Sequence, residues 1–163
     1  MLRTVVLLVV MSLVVMSLGL ATDVAGGQGS KDSSDGRQEI LNYKLTLPRA
    51  NQLISALEAM TKYLVSLPDF QDRVAKSMKM TPAERRAQVE KDPKAMAILK
   101  ENGLTAQDYL VGVPALRMAL MVAQGAPTGP NIIASSANVT FARANLNELK
   151  PKMDAADGIS ARK

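Results

Sequence analysis

Residues 105–124 read TAQDYLVGVPALRMALMVAQ, and this stretch decides the fold. Thr105 and Asp108 occupy the first and fourth places of a helix-opening signature, in which hydroxyl and carboxylate each satisfy the other's backbone N–H. Tyr109, Val113, Leu116 and Leu120 then recur at helical spacing and share one face. Pro114 removes a backbone donor from the interior, so the spacing predicts a kink or a short first half there.

The segments on either side repeat this grammar. Asn102-Gly103 is a helix stop just upstream. Thr81-Pro82-Ala83-Glu84 is a second capping box, with proline in the first helical position, and it opens a polar helix to about Lys91. Pro93 starts another short helix that carries Met96 and Leu99 inward. Leu53, Leu57, Met60 and Leu64 predict a helix over 48–66. Phe70, Val74 and Met78 predict a shorter one over 68–79, with Met78 on its core face. Downstream, GAPTGP at 125–130 is a connector. It is no phosphate cradle, because its second glycine is followed by Pro130 and not by Lys-Ser/Thr. Ser135 or Ser136 caps a last helix that aligns Val139, Ala142, Leu146 and Leu149, with Pro151 at its end. Gln38 to Leu47 alternates briefly at Tyr43, Leu45 and Leu47, and reads as an extended lead-in packed on the bundle. No stretch sustains a strand pattern with hairpin turns. The expectation is an all-α chain, a single bundle of five or six helices.

The two ends read differently. Arg3 precedes an uncharged apolar run from Val5 to Leu20, and Gly19 and Ala21 suit a cut after Ala21. A cut after Gly26 also fits. The run lies between the length of a signal and that of a membrane span, so an uncleaved anchor in the inner membrane is the alternative. Residues 1–21 are thus expected to be a signal peptide, or an N-terminal anchor, of a periplasmic or extracellular protein. Residues 22–37, rich in Gly, Ser and Asp, read as a flexible linker. The helical domain is expected over 38–153, with a frayed tail over 154–163.

Composition removes whole classes of chemistry. The 163 residues include no Cys, no His and no Trp. There is no thiolate nucleophile, no Ser-His-Asp triad, no disulfide, and no zinc site built from Cys or His. Any general base near neutral pH would be a perturbed carboxylate or lysine. No cofactor and no metal site is expected, and no catalytic residue stands out. Asp69 and Asp72 complement a helix dipole. Asn138-Val139-Thr140 matches a glycosylation sequon inside a predicted helix.

At two places the chain resembles a known family. GLTAQDYLVG (103–112) and SSANVTFARANLNEL (135–149) are similar to segments of small exported helical proteins of Gram-negative bacteria. That family has no assigned activity, so the resemblance implies a fold and an address, but no site residues. A second likeness is to the periplasmic LTxxQ chaperones. Met80 to Glu84 is close to that pattern with Met for Leu and Glu for Gln, and Leu104 to Asp108 keeps the Leu-Thr pair. A threonine helix cap alone produces such matches.

Three candidate binding features remain. Leu57, Tyr109, Leu116 and Leu120 would line an apolar groove between the 105–124 and 48–66 helices, suited to a small apolar ligand or a protein partner. The same side chains serve equally as core. From Arg73 to Lys100 there are eight basic residues against Glu84, Glu90 and Asp92. Arg73, Lys76, Arg85 and Arg86 would form a basic face for an anionic envelope surface or the client of a chaperone-like, stress-response module. A solvated face with local ion pairs is the simpler reading. Nucleic acid is not expected, since five aromatic residues leave little to stack bases on. The pairs Met78/Met80 and Met118/Met121 offer thioethers that suit Cu(I), although methionine is an ordinary core filler. The expectation is an exported, non-enzymatic binding protein.

Overall fold

A computed structural model describes residues 29–158, with side chains described from Gly36 onward. Residues 1–21, expected to be a signal or anchor, residues 22–28 and the stretch after Gly158 lie outside the described residues. Eight helices account for the described fold: α1 (Gly29–Asn42), α2 (Leu47–Ser66), α3 (Phe70–Ser77), α4 (Pro82–Glu90), α5 (Pro93–Glu101), α6 (Ala106–Ala123), α7 (Ser136–Ala144) and α8 (Leu146–Ala156). The chain is all-α as its spacing predicts, with more helices than the five or six expected. No strand occurs among the described residues, and Gly129 and Ile132 form one isolated bridge. No helix among them is long and apolar enough to cross a membrane.

The helix starts follow local chemistry. Thr81 and Glu84 complete one capping box, and Thr105 and Asp108 complete the other. The Thr46 hydroxyl accepts from the Arg49 N–H at the head of α2, and the Asp92 carboxylate accepts from Lys94 and Ala95 at the head of α5. Ser135 caps α7. Gly103 follows α5 at φ +67, a conformation that glycine adopts without strain.

α6 is the axis of the molecule. It contacts α1, α2, α4, α5, α7 and α8. Its Val113, Leu116, Ala119 and Leu120 enter the main core with Leu53, Ile54 and Leu57 of α2, Leu99 of α5 and Leu149 of α8. Its Val111, Ala115 and Met118 point the other way, into a smaller cluster with Ile40 and Ile133. A helix buried on two faces must be apolar nearly all round, and the sequence of α6 is. The single face read from Tyr109, Val113, Leu116 and Leu120 is therefore half of what α6 buries.

Several expectations are corrected. Of the stretch expected to be linker, Gly29 to Arg37 is helical, the lead-in is helical to Asn42, and Tyr43 to Thr46 alone lies outside helix there. Burial of Ile40 on α6 holds α1 in place, and the Gln38 side-chain amide donates to Asn42 one turn on. Pro114 neither ends nor splits α6. Pro151 lies inside α8, which runs on because Met153 and Ala156 are buried beyond it. The last helix is instead broken at Asn145, which ends α7 and starts α8, and whose side chain donates to the Phe141 carbonyl. Met78, expected on a core face, follows α3 and is 48% exposed. Residues 154–156 are helical and not frayed.

Candidate functional site

The four groove candidates are brought together, and they meet as core. Leu57, Leu116 and Leu120 belong to the main cluster and Tyr109 packs against it. Leu116 is 0% exposed and Leu120 is 2% exposed, so neither offers surface to a ligand. They fill the space in which a groove was expected.

The basic residues do not form one solvated face. Arg73 and Lys76 lie on α3, Arg85 and Arg86 on α4. The Arg73 Nε donates to Asp69 at 2.8 Å, and its Nη1 lies 3.8 Å from Asp92. Arg85 is half-buried, and burial works against its charge. The Arg86 Nε is enclosed without a hydrogen-bond partner. Of the four, Lys76 is the exposed one.

The described domain buries its charge elsewhere. Arg117 of α6 is 8% exposed, and its Nη2 donates to the Asp157 carboxylate at 2.5 Å. Both side chains are enclosed, at 10% and 8% exposure. The Arg117 Nε and Nη1 are also buried, and they have no hydrogen-bond partner. Burial pushes the Asp157 carboxyl up, against the pull of Arg117, with Asp154 and Lys150 acting from the same helix. Tyr109, two helical turns before Arg117, feels both charges, and burial pushes its hydroxyl well above the usual range. The sequence reading missed this pair. A lone arginine between Val113 and Leu120 was its one local signal, and Asp157 fell in the stretch taken as a frayed tail.

The other carboxylates serve the helices. Burial alone would raise Asp92, but the Ala95 N–H, the Tyr63 hydroxyl and the Lys94 N–H hold it below the usual carboxylate range. The Tyr63 hydroxyl donates to it at 2.9 Å. Burial would also raise Asp108, and the Thr105 hydroxyl and N–H bring it down. Glu84 is lowered by the same two groups of Thr81. Glu148 is lowered by hydrogen bonds from Lys152 and Asn51.

Asn138 has a structural task. Its amide donates to the Tyr43 carbonyl at 2.7 Å, and its Oδ1 accepts from the Leu45 N–H at 3.1 Å. This bracket ties the extended strap to α7 and occupies the nitrogen that a glycan would need. Met118 is buried in the smaller cluster, while Met78 is exposed and Met80 half-buried. No group of three or more acidic side chains that could hold a metal ion occurs among the described residues.

The chain matches no protein-family model, no curated protein and no solved structure.

Proposed function

We propose that this chain is an exported, non-enzymatic helical protein that acts by binding another protein. The non-enzymatic part of this reading is supported by the employment of four of its acids. Glu84, Asp92, Asp108 and Glu148 sit below the usual carboxylate range because caps, hydrogen bonds and ion pairs use them. A general base needs the opposite displacement. Asp157 is displaced that way, but it faces Arg117 inside the fold. Meanwhile Val65, in the last turn of α2, is 42% exposed, and Met78, just after α3, is exposed too. α3 is held by Phe70, its one buried residue. An exposed, flexible thioether is a material of adaptable protein-contact surfaces. A partner is favoured over a small apolar ligand because Leu116 and Leu120 are already packed. Export rests on the Arg3, apolar-run and Ala21 pattern of the sequence.

The test takes the chain with a C-terminal tag, made in a Gram-negative host. Fractionation and N-terminal sequencing come first, then native mass spectrometry beside a denatured control. The expected product starts after Ala21 or Gly26, outside the cytoplasm, and carries an added polypeptide mass that denaturation removes. Recovery in the cytoplasm with Met1 retained overturns export. An added mass too small for a polypeptide overturns the protein partner and returns the reading to a small ligand.

A further inference from the structure

The apolar interior is divided in two, and the division falls along α6. The main cluster joins α2, α5, α6 and α8. The smaller one, of Ile40, Val111, Ala115, Met118 and Ile133, is what fastens α1 to the body. Within α1, Ile40 is the buried side chain among those described, with Leu41 partly buried beside it.

The rest of α1 gives little independent support. Its residues include Gly29, Ser30, Ser33, Ser34 and Gly36, all poor helix formers. At 14 residues it is near the length at which even good helical sequences are marginal alone. Its helicity therefore depends on being docked. The polar ties are on the surface: Arg37 donates to the Pro130 carbonyl, and Gln107 donates to Glu39 at 2.7 Å. Water replaces such bonds at little cost. α1 also touches α4 near Gly36 and Pro82.

The joint is equally well marked. Tyr43 packs on both clusters, and its hydroxyl is buried with no partner. Immediately after it, the strap is pinned by Asn138 at Tyr43 and Leu45. The strap stays with the body, so rotation of α1 has its natural pivot between Asn42 and Tyr43.

We infer that α1 is an arm that undocks from α6 as a unit, pivoting at Tyr43 and baring Val111, Ala115, Met118 and Ile133 while the main core stays closed. The arm covers in cis an apolar, methionine-containing face of the central helix. Undocking transiently uncovers that face without unfolding the domain.

The absence of cysteine makes a direct test available. Ala115→Cys places one thiol beneath α1, and Ala119→Cys places one in the main core. Alanines 115 and 119 are 2% and 0% exposed, so static burial does not distinguish them. Each full-length variant is treated with a maleimide under native conditions and its modification rate is followed by mass. Local undocking modifies Ala115→Cys at least about tenfold faster than Ala119→Cys, because only the latter waits for global unfolding. Adding Ile40→Asp weakens a contact that both openings break, so it accelerates Ala115→Cys and the gap to Ala119→Cys persists. Equal rates in the otherwise native background overturn the arm, since both sites then open together. So does an Ile40→Asp substitution that leaves the Ala115→Cys rate unchanged. If Ile40→Asp does not fold, the comparison in the native background decides alone.

Discussion

Arg117 carries the largest energetic question posed by a single residue. A buried ion pair recovers its desolvation cost only when the remaining N–H groups are satisfied, and here Nε and Nη1 are not. Two variants separate the pair's net worth from the cost of breaking it. Asp157→Ala leaves a buried guanidinium without its carboxylate and is expected to lose roughly 3–5 kcal/mol in urea unfolding. Arg117→Met combined with Asp157→Leu removes both charges and is expected to lie within about 1 kcal/mol of the native chain, or above it. The same residues set a pH signature. Asp157 is raised in the folded chain above its ordinary 3.8, so its contribution is fully present below 3.8 and is lost as pH rises through the folded value. Asp92 and Asp108 are lowered, so theirs is present above 3.8 and is lost as pH falls through their folded values. On acidification the melting temperature of the native chain first gains from Asp157 and then falls as the two caps protonate. Asp157→Asn is expected to abolish the gain and keep the fall, as a series of thermal melts would show.

At the scale of the element, what was legible is what is local. Thr81 and Thr105 announce their helices because each cap closes within four residues of chain, and the structure completes both boxes. Thr105→Ala is expected to cost about 1 kcal/mol in chemical unfolding, and Thr105→Ser much less. α1 was not legible, because Ser, Gly and Asp read as linker and the burial of Ile40 depends on Val111 and Met118 far along the chain. The continuation of α8 through Pro151 was hidden for the same reason. Asp157 meets its partner 40 residues away, and no spacing rule reaches that far. The groove residues all belong to or pack on the main core, and periodicity gives a face but not whether the face is filled. Gly112 illustrates the tightness of that filling. A Cβ there would lie 2.8 Å from Leu53 and 2.8 Å from the Tyr43 ring. Gly112→Ala therefore gains helix propensity and is nevertheless expected to lower the melting temperature, because the packed Leu53 and Tyr43 side chains must both shift.

Across the whole molecule, stability rests on the core around α6 more than on the surface charge. Four of the ion pairs are neighbours on one helix turn, Glu58–Lys62, Asp69–Arg73, Glu148–Lys152 and Lys150–Asp154, and such pairs contribute little. Raising salt from low to molar is expected to change the unfolding free energy by less than about 1 kcal/mol, as denaturant titrations at each salt concentration would show. Leu116→Ala, by contrast, is expected to cost roughly 3 kcal/mol or more. One further consequence follows from the bracket at Asn138, which joins residues 93 and 95 positions apart. A chain emerges from the ribosome N-terminus first, so Tyr43 and Leu45 appear long before the side chain that clasps them. Until Asn138 is out, the strap has no clasp, and until Ile133 is out the niche for Ile40 lacks a wall. The earliest-made part of the described domain is thus among the last to be seated.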